Sequence, residues 1–261
     1  MSNTPRLAVV TGGASGIGEA AVRRLAGDGC AVVIVDLNDE RGTAIEAELR
    51  SSGVSAHFHR VDVSQEAAVE AFVAEVLTCH GTPDILVNSG GILQNAVRVL
   101  QADVKEVDRL YEVNVRGTLL MSKAIGRAMC EAGRGAIVNL CSLTTFRASA
   151  QIGYALSKVG VKTLTEVMAA ECGAQGVRVN AVAPGYTLTP AMQARIDSGQ
   201  RDPQAVYRQS ALPRFVQPAE VAAAIAFLCS DQAAAITGVV LPIDCGWLAR
   251  SAYLAYASQP D

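Results

Sequence analysis

The chain has 261 residues, half of them apolar, with 25 acidic and 22 basic side chains and a formal net charge of -3. That length and composition suit one α/β domain over residues 1–261, and balanced charge without a basic block argues against nucleic acid or an anionic membrane as partner. No apolar run approaches the roughly 20 residues of a membrane span, the N-terminal MSNTPRLAVV lacks a secretion-signal core, and seven cysteines form no CxxC pair, so a cytoplasmic protein with reduced thiols is expected.

The first strand signal, LAVVTG, runs into a turn holding Gly12, Gly16 and Gly18 and then into the helical pattern GEAAVRRLAGDG. Glycine there lets a ligand approach the main chain, and the helix start offers unpaired N–H groups and partial positive charge, which suits a phosphate. A tight strand-to-helix turn would need the glycines equally. The next strand, CAVVIVD, ends at Asp36, 18 residues beyond Gly18, close to the spacing at which an acid meets the ribose 2′-hydroxyl of NAD in a dinucleotide fold. A carboxylate repels the 2′-phosphate of NADP, and neither VDLND nor the glycine turn places an Arg or Lys beside it. NAD is therefore the expected cofactor.

After the helical stretch ERGTAIEAELRSSG, a third strand puts His57 and His59 on one face; HFH brings no third ligand, so packing or exposed histidines are expected rather than a metal site. The strand DILVNSG follows, then Asp103 and Glu106 as a capping-box pattern before one long helical segment from Val104 to about Ala132. The strand GAIVNLCS ends at Ser142, and alternation turns Cys141 away from it, as expected of a core thiol. YALSK then sets Tyr154 and Lys158 four residues apart, on one face of a helix. Beyond the strand VRVNAVAPG, residues 186–213 lack clear periodicity and read as an irregular substrate lid, ahead of the buried helix QPAEVAAAIAFL. Val-, Ile- and Leu-rich strands alternating with helices predict a Rossmann fold: a doubly wound parallel sheet of about seven strands with helices on both faces.

These residues carry a resemblance. TGGASGIG (11–18), DV (62–63), LVNSGG (86–91), VNVRG (113–117), IVNLCS (137–142), YALSK (154–158), VNAVAPGYTLT (179–189) and ITGVVLPIDCGW (236–247) resemble, in order, the motifs of the short-chain dehydrogenase/reductase family over nearly the whole chain. The resemblance implies that Ser15, Ile17 and Leu37 join the cofactor site, that Asp62 and Val63 flank the adenine, and that Asn88, Ser89 and Gly90 pass the adenosine half. It also implies that Pro184, Gly185, Thr187 and Thr189 cover the nicotinamide and that the protein is a homotetramer. Two departures are visible: Asn88-Ser89-Gly90-Gly91 where the family commonly has Asn-Asn-Ala-Gly, and Asp244-Cys245-Gly246 where it has Asp-Gly-Gly. Ser142 and Tyr154 are also one residue closer than in most relatives.

In this setting Tyr154 is expected to act as acid/base on a secondary alcohol or ketone, its phenol pKa lowered by the Lys158 ammonium. Ser142 would hydrogen-bond the substrate oxygen, Lys158 would hold the nicotinamide ribose, and Asn114 would complete a water-linked proton path. Thr144, Thr145, Gln151 and Asn95 could bind further hydroxyls, which favours a polyol or sugar derivative as the small-molecule substrate. An NADPH-dependent 3-oxoacyl thioester reductase is the alternative that Asp36 opposes, and a non-catalytic nucleotide sensor would have no need of the acid-base set. The aromatic tail 248–261, with Trp247 before it, is expected at a subunit interface, bordering a neighbour's pocket.

Overall fold

The computed structural model describes residues 5–255. Seven strands form one sheet in the order β3-β2-β1-β4-β5-β6-β7, with every pairing parallel. They are β1 Leu7–Thr11, β2 Ala31–Asp36, β3 Ala56–Arg60, β4 Ile85–Asn88, β5 Gly135–Leu140, β6 Val177–Pro184 and β7 Val240–Ile243. Side chains alternate across the sheet, so one strand feeds two cores. From β1, Ala8 and Val10 pack with Leu25, Ile45 and Ile225 of helices α1 (Gly16–Gly27), α2 (Asp39–Ser51) and α9 (Pro218–Cys229). Leu7 and Val9 point the other way, toward Phe72, Ile125 and Met168 of α3 (Glu66–Cys79), α5 (Gly117–Ala132) and α6 (Ile152–Cys172). Burial on both faces is why the strands read as unbroken apolar runs.

Strand order reverses between β1 and β4, and a crevice opens at their carboxyl ends, where ligands bind in open α/β sheets. Among the described residues, no helix is long and apolar enough to cross a membrane.

Three local expectations are corrected. The segment 104–132 is not one uniform helix: α4 (Val104–Tyr111) passes into a wide π turn at Glu112–Arg116 before α5, and Asn114 sits in that turn. Asp103 caps α4 by accepting from the Lys105 N–H, while Glu106 accepts instead from the Gln94 side chain. Residues 186–213 hold two short helices, α7 (Pro190–Asp197) and α8 (Pro203–Gln209), each with proline in its first turn and capped by Thr189 or Asp202.

His57 stacks near His80, with ring centroids 4.3 Å apart, while His59 meets Phe72 at 5.2 Å and lies 3.9 Å from Glu75. Both rings cover α3 and the residue that ends it. Cys245 adopts a left-handed backbone, φ 54°, which accounts for the glycine common at that position in the family.

Candidate active site

A cleft of about 1040 Å³ runs along the carboxyl edge of the sheet. Its floor at one end is the glycine turn. A Cβ on Gly12 would lie 2.8 Å from the Gly90 Cα, and one on Gly18 would lie 2.0 Å from the Gly12 carbonyl oxygen, so backbone meets backbone with no room for a side chain. Ser15 leaves the first turn of α1 without a side-chain cap, and residues 15–18 line the cleft. Uncapped N–H groups beside a glycine cradle fit the pyrophosphate of a dinucleotide.

Asp36 closes β2 at the same end. Its Oδ1 accepts from the Leu37 and Asn38 N–H groups at 2.8 and 3.1 Å, and its Oδ2 from the Ala14 N–H at 3.0 Å. A carboxylate has about four acceptor positions, so this anchored group keeps one for a sugar hydroxyl. One cation lies nearer than the chain order suggests: Arg60 pairs with Asp36 across β2 and β3, although its guanidinium is held by Asp39 at 3.1 Å. Asp62 accepts from the Ser64 hydroxyl and N–H at 2.7 and 3.0 Å. Burial works to raise its pKa, but those bonds and Arg109 hold it below the usual carboxylate value.

Val63, Ser89, Gly90, Pro184, Gly185 and Thr187 line the cleft as the motifs suggest, with Thr189 beside Gly16. Asn88 does not join them. It is buried, with its amide donating to Ser122 Oγ at 2.9 Å and to Asn139 Oδ1 at 2.8 Å, and Asn139 donates onward to Thr165. Asn88 thus ties β4 to β5 and α5.

At the other end, Ser142, Tyr154 and Lys158 converge despite the shortened spacing. A single 3-10 turn, Leu143–Thr145, follows Ser142, whose hydroxyl accepts from the Thr144 N–H at 3.3 Å. The Lys158 Nζ donates to the Leu140 carbonyl at 2.7 Å and lies 5.5 Å from the centre of the Tyr154 ring. Burial pulls the Lys158 ammonium down to about 8. The expected lowering of the Tyr154 pKa is not supplied by the protein's own groups: burial pushes the phenol up to about 12, with a Ser142 hydrogen bond acting in the opposite sense. Cys141 is a core thiol, raised to about 11 by burial although Lys158 opposes the rise, and it donates to the Lys158 carbonyl at 3.7 Å.

Asn114 clamps the neighbouring turn: its Oδ1 accepts from the Ile92 N–H at 2.8 Å, and its amide donates to the Ile92 carbonyl and to Ser157 Oγ at 3.0 and 3.1 Å. Gly91 separates Asn114 from Lys158, since a Cβ there would lie 3.0 Å from Asn114 Oδ1 and 3.7 Å from Lys158 Nζ. A residue missed from sequence, Gln94, is fully buried in the same region. Its side-chain Oε1 accepts from the N–H groups of Gly153 and Tyr154 at 2.9 and 3.2 Å, capping α6 at the helical turn that carries the tyrosine.

The substrate end also departs from expectation. Asn95 Oδ1 accepts from Arg195 and Thr145 Oγ1 from the Ser142 N–H, and neither residue lines the cleft; the Gln151 amide nitrogen donates to the Gln94 main-chain carbonyl. Trp247 is buried against its own subunit's cleft, 5.9 Å from the Tyr186 ring, rather than turned outward. Tyr253 on α10 (Trp247–Leu254) is exposed, and Tyr256 lies outside the described residues.

The family model for enoyl-(acyl carrier protein) reductase matches residues 12–248. A D-threitol dehydrogenase of Mycolicibacterium smegmatis is 39% identical over 243 residues, covering 93% of this chain and 92% of the relative. A cis-4-hydroxycyclohexanecarboxylate dehydrogenase of Sinomonas cyclohexanicum is 40% identical over 245 residues, covering 94% and 97%. Among solved structures, a gluconate 5-dehydrogenase from Burkholderia cenocepacia in complex with NADP and tartrate superposes with a TM-score of 0.89 at 31% identity, covering 94% of this chain and 96% of the other. Joined to the glycine cradle, the sheet order and the Ser142, Tyr154 and Lys158 cluster, these matches identify the chain as a member of the short-chain dehydrogenase/reductase family, whose enzymes use nicotinamide cofactors on small-molecule substrates.

Proposed function

We propose that the protein is a cytoplasmic, homotetrameric NAD-dependent dehydrogenase of secondary alcohols, built as one domain, with a polyol, sugar derivative or cyclic alcohol as substrate. The observation that carries this reading is the meeting of Ser142, Tyr154 and Lys158 at one end of a cleft whose other end holds the anchored carboxylate of Asp36. The named substrates of the two dehydrogenase relatives support the substrate class. NADP in the gluconate 5-dehydrogenase, and Arg60 beside Asp36, favour the NADP-linked alternative. The free acceptor position of Asp36 tips the balance, because it welcomes a 2′-hydroxyl and repels a 2′-phosphate.

In this mechanism Gly12 to Gly18 and the start of α1 would hold the pyrophosphate, Asp36 the adenosine ribose, and Lys158 the nicotinamide ribose. A nicotinamide cofactor held there would supply the hydride acceptor for the carbinol carbon, and its positive charge would favour ionisation of the Tyr154 phenol. Tyr154 exchanges the hydroxyl proton with the substrate oxygen, and Ser142 donates to that oxygen as charge develops on it. With its phenol held near 12, Tyr154 carries a proton at neutral pH and suits ketone reduction there, while alcohol oxidation gains from alkaline pH. Asn114 and the main chain at Ile92 keep the route behind Lys158 polar.

The test is a screen of threitol, sorbitol, gluconate and hydroxycyclohexanecarboxylates with NAD and NADP separately. Reduction of NAD at a kcat/KM at least tenfold above that with NADP supports the reading. Turnover confined to NADPH and 3-oxoacyl thioesters would replace it with the reductase alternative.

A further inference from the structure

We infer that the alcohol carries an anionic group, a carboxylate or a phosphate, bound by Arg147 and Arg201 on either side of the Trp247 and Tyr186 rings. The inference rests on the dehydrogenase reading and names the substrate class of the same site.

Arg147 lies over the Trp247 ring at 4.2 Å, Trp247 is 5.9 Å from Tyr186, and Arg201 lies over Tyr186 at 5.2 Å. The four side chains form a ladder along the cleft wall. Stacking holds a guanidinium by its face and leaves its edge to grip an oxyanion; the Arg147 Nε donates to the Ala148 carbonyl at 3.4 Å, which leaves its terminal nitrogens for the ligand. Among the described residues, neither Arg147 nor Arg201 forms an ion pair, unlike Arg23, Arg41, Arg134 and Arg214 elsewhere on the surface. The acidic residues lining the cleft, Asp36 and Asp62, belong to its adenosine end.

Buried polar atoms left without a partner point the same way. Arg201 Nε, Trp247 Nε1 and Thr144 Oγ1 are three such atoms, and all three residues line this cleft. Buried polar atoms without a protein partner are rare in folded proteins and call for water, an ion or a ligand; the fourth such atom, Asn88 Oδ1, lies outside the cleft. Arg and Trp side chains donate and never accept, so the complementary ligand must offer acceptors, and a carboxylate or phosphate offers them with matching charge. Asn95 and Thr145, two of the uncharged groups that would have read a neutral polyol, do not line the cleft, and the Gln151 amide nitrogen is held by the Gln94 main-chain carbonyl.

The test uses ligands that cannot turn over, so that binding is read apart from catalysis. Cyclohexanecarboxylate, cyclohexyl phosphate and cyclohexanecarboxamide are titrated calorimetrically into the NADH-saturated protein. An anion bound about 10- to 100-fold tighter than the carboxamide, with affinity falling as salt rises, is expected; the tighter of the two anions identifies the group. Arg147→Gln and Arg201→Gln, on separate segments, should each cut the anion-over-carboxamide ratio about tenfold. Equal affinity for the anions and the carboxamide, no binding of either, or a ratio unchanged in both variants overturns the inference. Anion binding in a protein that oxidises no alcohol would leave this site standing and remove the dehydrogenase reading instead.

Discussion

Substituting Lys158 by Met changes how stability depends on pH. In the unfolded chain the ammonium titrates near 10.5, and in the folded protein burial brings it to about 8. The folded state therefore binds fewer protons between those values, and stability rises with pH across that window. Below pH 8 the buried charge costs about 3 kcal/mol, and some 2 kcal/mol of that is recovered by pH 9.5. Tyr154 runs the other way at higher pH: its pKa rises from 10 to about 12 on folding, so its contribution is intact below pH 10 and is lost as pH climbs through 12. Buried thiols such as Cys141, raised from 9 to about 11, also lower stability by pH 9.5, so the lysine is read from the difference between wild type and Lys158→Met at pH 7.5 and 9.5. Lys158→Met also leaves the Leu140 carbonyl without its 2.7 Å donor, a loss of about 1–3 kcal/mol that does not depend on pH. Urea unfolding at fixed protein concentration should show the stability difference between wild type and Lys158→Met shifting by about 2 kcal/mol in favour of wild type from pH 7.5 to 9.5. Parallel pH profiles for the two proteins would refute the claim that Lys158 is held in an environment hostile to its charge.

Asp36→Ala should move the NAD-to-NADP affinity ratio toward NADP by about 10- to 100-fold, the size of a charge repulsion of about 1–3 kcal/mol, measured by titration of each cofactor. Gly18→Ala would drive a methyl group to within 2.0 Å of the Gly12 carbonyl; a loss of about 1–3 kcal/mol in stability and a collapse of cofactor affinity are expected, read by thermal melting with and without NAD. Gln94→Leu strands the N–H groups of Gly153 and Tyr154. It should lower stability by about 1–3 kcal/mol and reduce kcat more than it raises KM, because the tyrosine is displaced while the cofactor cradle is untouched.

Much of this site is legible from sequence where the signal is local. The glycine turn, the acid ending β2 and the Tyr154 and Lys158 pair each depend on spacing within one βα unit or one helix, and backbone geometry converts such spacing directly into position. The features hidden from sequence depend on partners far along the chain. Asn88 lies in a cofactor motif, yet the small residues Ser122 and Thr165 on distant helices open a polar niche that draws its amide inward. Gln94 carries no local pattern, since its importance comes from facing the exposed N–H groups of α6, about sixty residues away. The helices α7 and α8 announced themselves through Thr189-Pro190 and Asp202-Pro203, caps that outweigh a missing apolar periodicity. Parallel pairing of β2 with β3 brings Arg60 beside Asp36, which no reading of VDLND alone could reveal.

The central claim is that Tyr154 performs the proton transfer of an NAD-dependent alcohol oxidation. Tyr154→Phe removes one oxygen and keeps the ring, so NAD binding and alcohol-dependent NAD reduction should be measured side by side on this variant and on wild type. NAD affinity within about threefold of wild type and turnover reduced by about 10²–10⁴ are expected. Turnover within tenfold of wild type would contradict the claim.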